Sequence, residues 1–251
     1  MIKMDFHVHS TFCDGKNTPE ELVLTAIEKG IKHFGILAHS YTDFDTLGTL
    51  HEKFYDKFIS EINTLKEKYE DKITLYVGIE QDMFTKTKPV GFDYIIGSMH
   101  FVKYNGAYHC IDHNEKCFVE TVNNVFGGDF CKVYELYYEQ IAQIVDITNA
   151  NIIGHFDIIT KYNRNDKYFD TTSERYKTAY KKAVDVLAKK GAYFEVNTGM
   201  IARGHKDFPS PNKEICDYIR ERGGKLILSS DTHQKQNLAF EFEKWAKEYS
   251  I

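Results

Sequence analysis

The sequence predicts an α/β protein of parallel βαβ units, with seven strands in one unbroken chain. Three observations carry this. Short apolar runs alternate with stretches of helical periodicity along the whole length. No internal repeat, low-complexity tract or Pro/Gly/Ser linker divides the chain. Six of the seven runs end at or just before a histidine or carboxylate, as if aimed at one face. Seven such units can close into a barrel one unit short of the eightfold (β/α) barrel, and an open doubly wound sheet fits the same alternation.

The first strand is expected over about 2–7, carrying His7, with His9 two residues on. Residues i and i+2 of an extended segment share a face, so both imidazoles can reach one point. Thr18-Pro19-Glu20-Glu21 starts a helix: Thr18 caps, Pro19 suits the first turn and acidic residues follow. Leu22, Val23, Ala26 and Ile27 form its apolar face and Gly30 stops it. The second strand, about 32–38, ends in His39. A helix over about 50–69 presents Phe54, Phe58, Ile62 and Leu65 at helical spacing. The third strand, about 73–79, ends in Glu80, and the fourth, about 92–97, ends near His100. Residues 101–115 are polar and histidine-bearing and read as a long loop; helices follow at about 117–126 and 132–148. The fifth strand, about 151–154, ends in His155 and leads to a loop with Lys161 and Arg164. A helix over about 172–190 is stopped by Gly191. The sixth strand, about 192–196, leads to a loop with Arg203 and His205 and delivers no obvious ligand. A helix over about 211–222 ends at Gly223-Gly224; the seventh strand, about 225–229, leads to Asp231 and His233, and a last helix closes the chain.

The length of 251 residues suits one large domain, 1–251. The hydrophobic fraction of 42% and charged fraction of 27% are those of an ordinary globular protein. A net charge of −5 gives no basic footprint, so no nucleic-acid partner is expected. The opening lacks the long apolar core of a signal peptide, and no run approaches the ~20 residues of a membrane span. Five cysteines, odd in number and without CxxC spacing, read as reduced thiols of a cytoplasmic protein.

The placement of His7, His9, His39, Glu80, His100, His155, Asp231 and His233 at strand ends puts them at one barrel mouth. A ligand set of imidazoles and carboxylates without cysteine suits Zn²⁺, Mn²⁺ or Fe²⁺. Eight ligands exceed the needs of one ion, so a carboxylate shared between ions, best Glu80, implies two or three divalent metals. Clustered ions of this kind serve phosphoester hydrolysis. Arg203 is the best holder of the phosphate oxygens because a guanidinium can grip them through two parallel hydrogen bonds; Lys161, Arg164 and His205 are further candidates. Asp14, in Asp14-Gly15, is either a turn residue or a ligand on the loop above the mouth. His33, inside a strand, and His51, on a helix, read as structural; His109 and His113 read as surface residues or as part of a pocket wall.

Phe6-His7-Val8-His9-Ser10, Asp14-Gly15 with Thr18-Pro19-Glu20-Glu21, Leu37-Ala38-His39, Gly78-Ile79-Glu80, Gly97-Ser98-Met99-His100, Ile153-Gly154-His155-Phe156-Asp157 and Ser230-Asp231-Thr232-His233 resemble, in order, the motifs of the polymerase and histidinol phosphatase (PHP) family. The resemblance covers nearly the whole chain. It implies a distorted seven-stranded (β/α)7 TIM-like barrel with a metal cluster at the C-terminal strand ends. It also implies three ligand sets: His7, His9, Glu80 and Asp231; Glu80, His100 and His155; and His39, His233 and Asp14, the last being a histidine in some relatives. Ala38 stands where many members have an aspartate.

Within the family the chain most resembles the stand-alone L-histidinol-phosphate phosphatases of histidine biosynthesis. Lys161 after the His155 motif, and Arg203 after Glu195-Val196-Asn197-Thr198, support that branch. The implied activity is phosphomonoester hydrolysis by in-line attack of a hydroxide bridging the ions. Asp231 or His233 would protonate the leaving alkoxide, and acidic residues and tyrosines of 101–115 would receive the small-molecule substrate's ammonium and imidazole. The same scaffold would serve a phosphodiesterase, an exonuclease or a protein-tyrosine phosphatase, or a metal-binding domain without activity.

Overall fold

The computed structural model describes residues 3–251. Residue 2 of the expected first strand lies outside them. Seven parallel strands form one sheet in the order β1 (Met4–Asp5), β2 (His33–Ile36), β3 (Thr74–Asp82), β4 (Tyr94–Ser98), β7 (Ile152–Ile153), β8 (Tyr193–Asn197) and β9 (Lys225–Ser229). Every neighbouring pair is parallel and strand order follows chain order, as a barrel requires and a doubly wound sheet forbids. The seam between β9 and β1 is bridged at Val8–Thr232, with His9 N–H donating to the Thr232 carbonyl at 2.9 Å and Thr232 N–H to the His7 carbonyl at 3.2 Å. The result is a nearly closed seven-stranded barrel.

The connections are mostly helical: α1 (Pro19–Glu28), α2 (Tyr55–Lys68), α3 (Glu115–Phe126), α4 (Phe130–Ile141), α5 (Ile144–Thr148), α6 (Glu174–Leu187), α7 (Gly199–Ala202), α8 (Lys213–Glu221) and α9 (Phe242–Tyr249). At α1 the expected cap is present: Thr18 Oγ1 accepts from Glu21 N–H at 3.3 Å, and the Glu21 carboxylate accepts from Thr18 N–H at 3.0 Å. Phe58, Ile62 and Leu65 of α2 are buried as their spacing demands, but Phe54 is exposed because the chain enters α2 through a short 3₁₀ turn, Glu52–Phe54. His51 caps that turn, its Nδ1 facing Lys53 N–H at 3.3 Å, and so precedes the helix instead of lying on it.

Two further expectations are corrected. Residues 101–115 are not one loop: β5 (Phe101–Tyr104) and β6 (Ala107–Cys110) pair antiparallel across Asn105-Gly106, both with positive φ. That dipeptide between apolar runs is itself a hairpin signal. The helix expected over 132–148 breaks into α4 and α5 at Ala142–Gln143.

Leu37, Tyr94, Ile96 and Ile152, with Phe6, Tyr76 and Ile227 against them, form one apolar cluster contributed by segments all around the sheet. This is the bore of the barrel. The Tyr94 hydroxyl spans it to donate to the Phe6 carbonyl at 2.6 Å. Gly35 and Gly78 make room for that ring, since a Cβ on either would collide with it. The bore is thus filled below, and polar groups are confined to the mouth.

Gly78→Ala is expected to destabilise the fold by about 1–3 kcal/mol through overpacking against Tyr94. Urea unfolding checks this, and an unchanged midpoint would contradict the filled bore.

Candidate metal centre at the barrel mouth

Parallel strands place their carboxyl ends on one rim. His7 and His9 follow β1, His39 follows β2, Glu80 lies in β3, His100 follows β4, His155 follows β7, and Asp231 and His233 follow β9. Asp14 stands above them on the loop before α1. The structure therefore gathers all nine residues named from the sequence.

At the seam, His7 Nε2 and His9 Nε2 are 3.2 Å apart, and each is 3.4 Å from Glu80 Oε2. Asp231 Oδ1 lies 3.6 and 3.7 Å from the same two nitrogens. On the other side of Glu80, Oε1 is 2.9 Å from His155 Nε2 and 3.4 Å from His100 Nε2. Further out, Asp14 is 3.6 Å from His39 Nε2, 3.2 Å from His233 Nε2 and 3.8 Å from His9 Nδ1. The His9 ring packs against both His39 and His233, with centroids 4.3 and 4.1 Å away. His39 also reaches inward, its Nδ1 2.9 Å from Glu80 Oε2. The groups are thus less separate than three independent ligand sets: His9 and His39 each touch two of them.

These residues fit divalent cations. Glu80 is buried, yet its Oε2 accepts no hydrogen bond among the described residues while three imidazole nitrogens crowd it; Asp14 Oδ1 is likewise buried and unpartnered. Such carboxylate oxygens need a counter-charge. Metal bonds of about 2.0–2.1 Å in a tetrahedral array put adjacent ligand atoms about 3.3 Å apart, which is the spacing found around Glu80. The nearest sulfur, Cys13, is a neutral thiol, pushed up to about 12 by burial and by Asp14.

The electrostatics point the same way. Burial lowers the affinity of His7, His39 and His100 for protons, but neighbouring carboxylates more than offset it: Glu195, Glu80 and Asp231 at His7, Glu80 and Asp14 at His39, and Asp82 and Glu80 at His100. All three imidazoles sit above their ordinary value. Burial raises Glu80 and Asp231, and the surrounding imidazoles, joined by Arg203 at Asp231, bring both well below it.

A cavity of about 340 Å³ opens above the cluster. Arg203 lines it, donating from Nη1 to the Asp231 carbonyl at 2.8 Å and from Nη2 to Asp231 Oδ2 at 2.9 Å. Lys161 lines it too, held by the Asp112 carboxylate at 2.5 Å and carbonyl at 2.9 Å. Arg164 does not: it is exposed, clamps Asp207 through two bonds of 2.9 and 2.6 Å, and borders a different cavity of about 200 Å³. His205 lies outside the lining, half-buried near the Tyr162 ring. From 101–115 the wall takes Phe101, Asp112 and His113, the last held by Asp45 at 2.8 Å. The tyrosines of that stretch pack elsewhere, Tyr108 on Phe44 and Tyr104 on Phe126, and His109 is tied to the Tyr104 carbonyl.

Three polar residues were given no role at the site by the sequence reading, although Glu195 and Asn197 stand in a quoted motif. Asp82 Oδ2 lies 3.2 Å from His100 Nδ1. Glu195 Oε1 lies 2.5 Å from His7 Nδ1, and Asn197 Nδ2 donates to Asp231 Oδ2 at 3.1 Å. The i, i+2 rule that paired His7 with His9 could have found them, since Asp82 follows Glu80 and Asn197 follows Glu195 at that spacing within a strand.

A (β/α) barrel with imidazoles and carboxylates converging at the strand ends defines a class of metal-binding barrels. The PHP domain model matches residues 5–199, and the chain belongs to the PHP family. The histidinol-phosphatase of Bacillus subtilis (strain 168) is 23% identical over 266 residues, covering 97% of this chain and 98% of that protein. The histidinol-phosphatase of Lactococcus lactis subsp. lactis (strain IL1403) is 25% identical over 253 residues, covering 93% and 85%. A solved structure from Listeria monocytogenes superposes with a TM-score of 0.84 at 20% identity, covering 97% of this chain and all of that one. The L. lactis histidinol phosphate phosphatase, complexed with zinc, L-histidinol and phosphate, superposes with a TM-score of 0.71 at 20% identity, covering 98% and 93%. These superpositions bear out the distorted barrel.

Because His7, His39 and His100 hold protons above the ordinary imidazole range, metal must displace them. Zn²⁺ affinity is expected to fall steeply from about pH 8 to about pH 6. Competition against a chromophoric chelator measures it, and a flat profile would contradict imidazole ligation.

Proposed function

We propose that residues 1–251 form a single metal-dependent phosphomonoesterase domain that hydrolyses L-histidinol phosphate to L-histidinol and phosphate, in the cytoplasm, as a step of histidine biosynthesis. The observation that carries this is the cavity itself: a floor of imidazoles and carboxylates spaced for metal, with Arg203 and Lys161 on its wall. Curated relatives of nearly the same length are histidinol-phosphatases. The free cysteines agree with a reducing compartment, and no helix among the described residues is long and apolar enough to cross a membrane.

His7, His9, Glu80 and Asp231 would hold one ion, Glu80, His100 and His155 a second, and Asp14, His39 and His233 a third; the ligand chemistry accepts Zn²⁺, Mn²⁺ or Fe²⁺. Divalent ions there supply Lewis-acid charge to the phosphoryl oxygens and lower the pKa of a water at the same mouth. The chain does the rest. Arg203 spends two N–H groups on Asp231, which fixes its plane, and keeps others for phosphoryl oxygens. Lys161, pinned by Asp112, adds a second positive charge. Asp231, held by Arg203 and Asn197, is one candidate to protonate the leaving alkoxide. With only the two inner ion sets filled, His233 remains free to protonate the leaving alkoxide. The carboxylates of Asp45 and Asp112, with the Phe101 ring, offer the rim a cationic, partly apolar substrate would need.

In a panel of histidinol phosphate, phosphotyrosine and a dinucleotide, with Mn²⁺ or Zn²⁺ added, histidinol phosphate is expected to show the highest kcat/KM; no preference for it would sink the substrate assignment. Arg203→Ala is expected to raise KM and to lower kcat/KM by about 2–3 kcal/mol. An unchanged KM would remove Arg203 from the phosphate site.

A further inference from the structure

We propose that Glu195 is the positioning residue of the inner metal-binding groups, acting through His7 and His155 without touching an ion. Glu195 lies in β8, the one strand whose end supplies no ligand, and it is fully buried beneath the cluster. Its carboxylate is saturated. Oε1 receives His7 Nδ1 at 2.5 Å and the Ser229 hydroxyl. Oε2 receives the His155 backbone N–H at 2.6 Å and Asn197 Nδ2 at 3.0 Å. A carboxylate has about four acceptor positions, and here four donors occupy them. Glu80 Oε2, which accepts no hydrogen bond among the described residues, is the contrast: one carboxylate is built to bind a cation, the other to bind the ligands of that cation.

Two consequences follow for the ligands. The bond to Nδ1 fixes the His7 ring and places its proton on Nδ1, leaving the Nε2 lone pair directed at His9, Glu80 and Asp231. The bond from His155 N–H sets the backbone at the end of β7, and so the height of the His155 ring over Glu80 Oε1. Asn197, held by Glu195, donates to Asp231 Oδ2 and turns the opposite oxygen toward His7 and His9. One residue thereby orients ligands from β1, β7 and β9, while the outer group of Asp14, His39 and His233 receives nothing from it. A carboxylate that merely filled the barrel would affect all groups alike.

This role presupposes that the cluster binds ions, as proposed above, and the two claims fail differently. Zn²⁺ is titrated against a chromophoric chelator into wild type, Glu195→Gln, Asp14→Asn and the double variant, with circular dichroism and thermal unfolding of the metal-free proteins alongside. Glu195→Gln keeps the side-chain size but removes the charge and turns one acceptor into a donor, facing either His7 Nδ1 and Ser229 or His155 N–H and Asn197. It is expected to weaken the inner sites about 10–100-fold and to leave the outer site unchanged. In the Asp14→Asn background it should weaken every remaining site. Glu195→Asp, which withdraws the carboxylate by one methylene, should show the same selective loss and serves if the glutamine variant does not fold. Unchanged affinities, or an equal loss at all sites with a less stable metal-free protein, would overturn the positioning role. Wild type that takes up no zinc would instead overturn the metal-centre reading and the role with it.

Discussion

The structure depends on one buried charge. Glu80 stands near the end of the longest strand, its carboxylate almost wholly withdrawn from water and approached by five imidazoles. Burying a carboxylate is costly unless it is paired. Here the counter-charge comes from rings that burial would otherwise keep neutral. The cluster therefore has only two comfortable states: imidazoles carrying protons, or imidazoles released to cations. Two contacts at the mouth suit the second. Nδ1 of His7 and of His100 is engaged by a carboxylate, so Nε2 faces inward in both.

The barrel makes this charge affordable by separating its interior into two zones. Below, Tyr94, Leu37, Ile96 and Ile152 fill the bore and exclude water. Above, polar side chains are stacked in depth: Asp5 and Glu195 lowest, then the ligands, then Arg203 and Lys161 on the cavity wall. Asp5 shows how low the polar zone reaches. Burial pushes its carboxyl up to about 6 even though Ser230 donates to it from backbone and hydroxyl.

The gathering of the candidate ligands was legible in the sequence because strand ends are. A parallel barrel converts position along a strand into position in space, so a residue type recurring at the ends of six apolar runs is already a three-dimensional statement. Loops carry no such conversion. Arg164 and Arg203 look alike in sequence, each a cation soon after a strand end, yet one meets Asp207 outside the mouth and the other meets Asp231 inside it. The supporting carboxylates were hidden for a different reason. Glu195 meets His7 from beyond β1 and Asp82 meets His100 from beyond β4, and contacts between strands are not expressed by spacing along either one. The hairpin over 101–110 was missed because its two runs are only four residues each, although Asn105-Gly106 marked its turn.

Seven strands rather than eight leave the seam as the point of least pairing. Among the described residues, the β1 and β9 segments meet through a single bridge, whereas β8 and β9 share a register of five residue pairs. The residues flanking that bridge are His7 and His9 on one side and Asp231 and His233 on the other. An ion held by His7, His9 and Asp231, as proposed above, would span the seam and would bind only the closed barrel. Its binding free energy would then add to closure, by the linkage that governs any ligand selective for the folded state. The inner group lies at this seam, so the side chains proposed to bind metal would also help complete the cylinder that positions them.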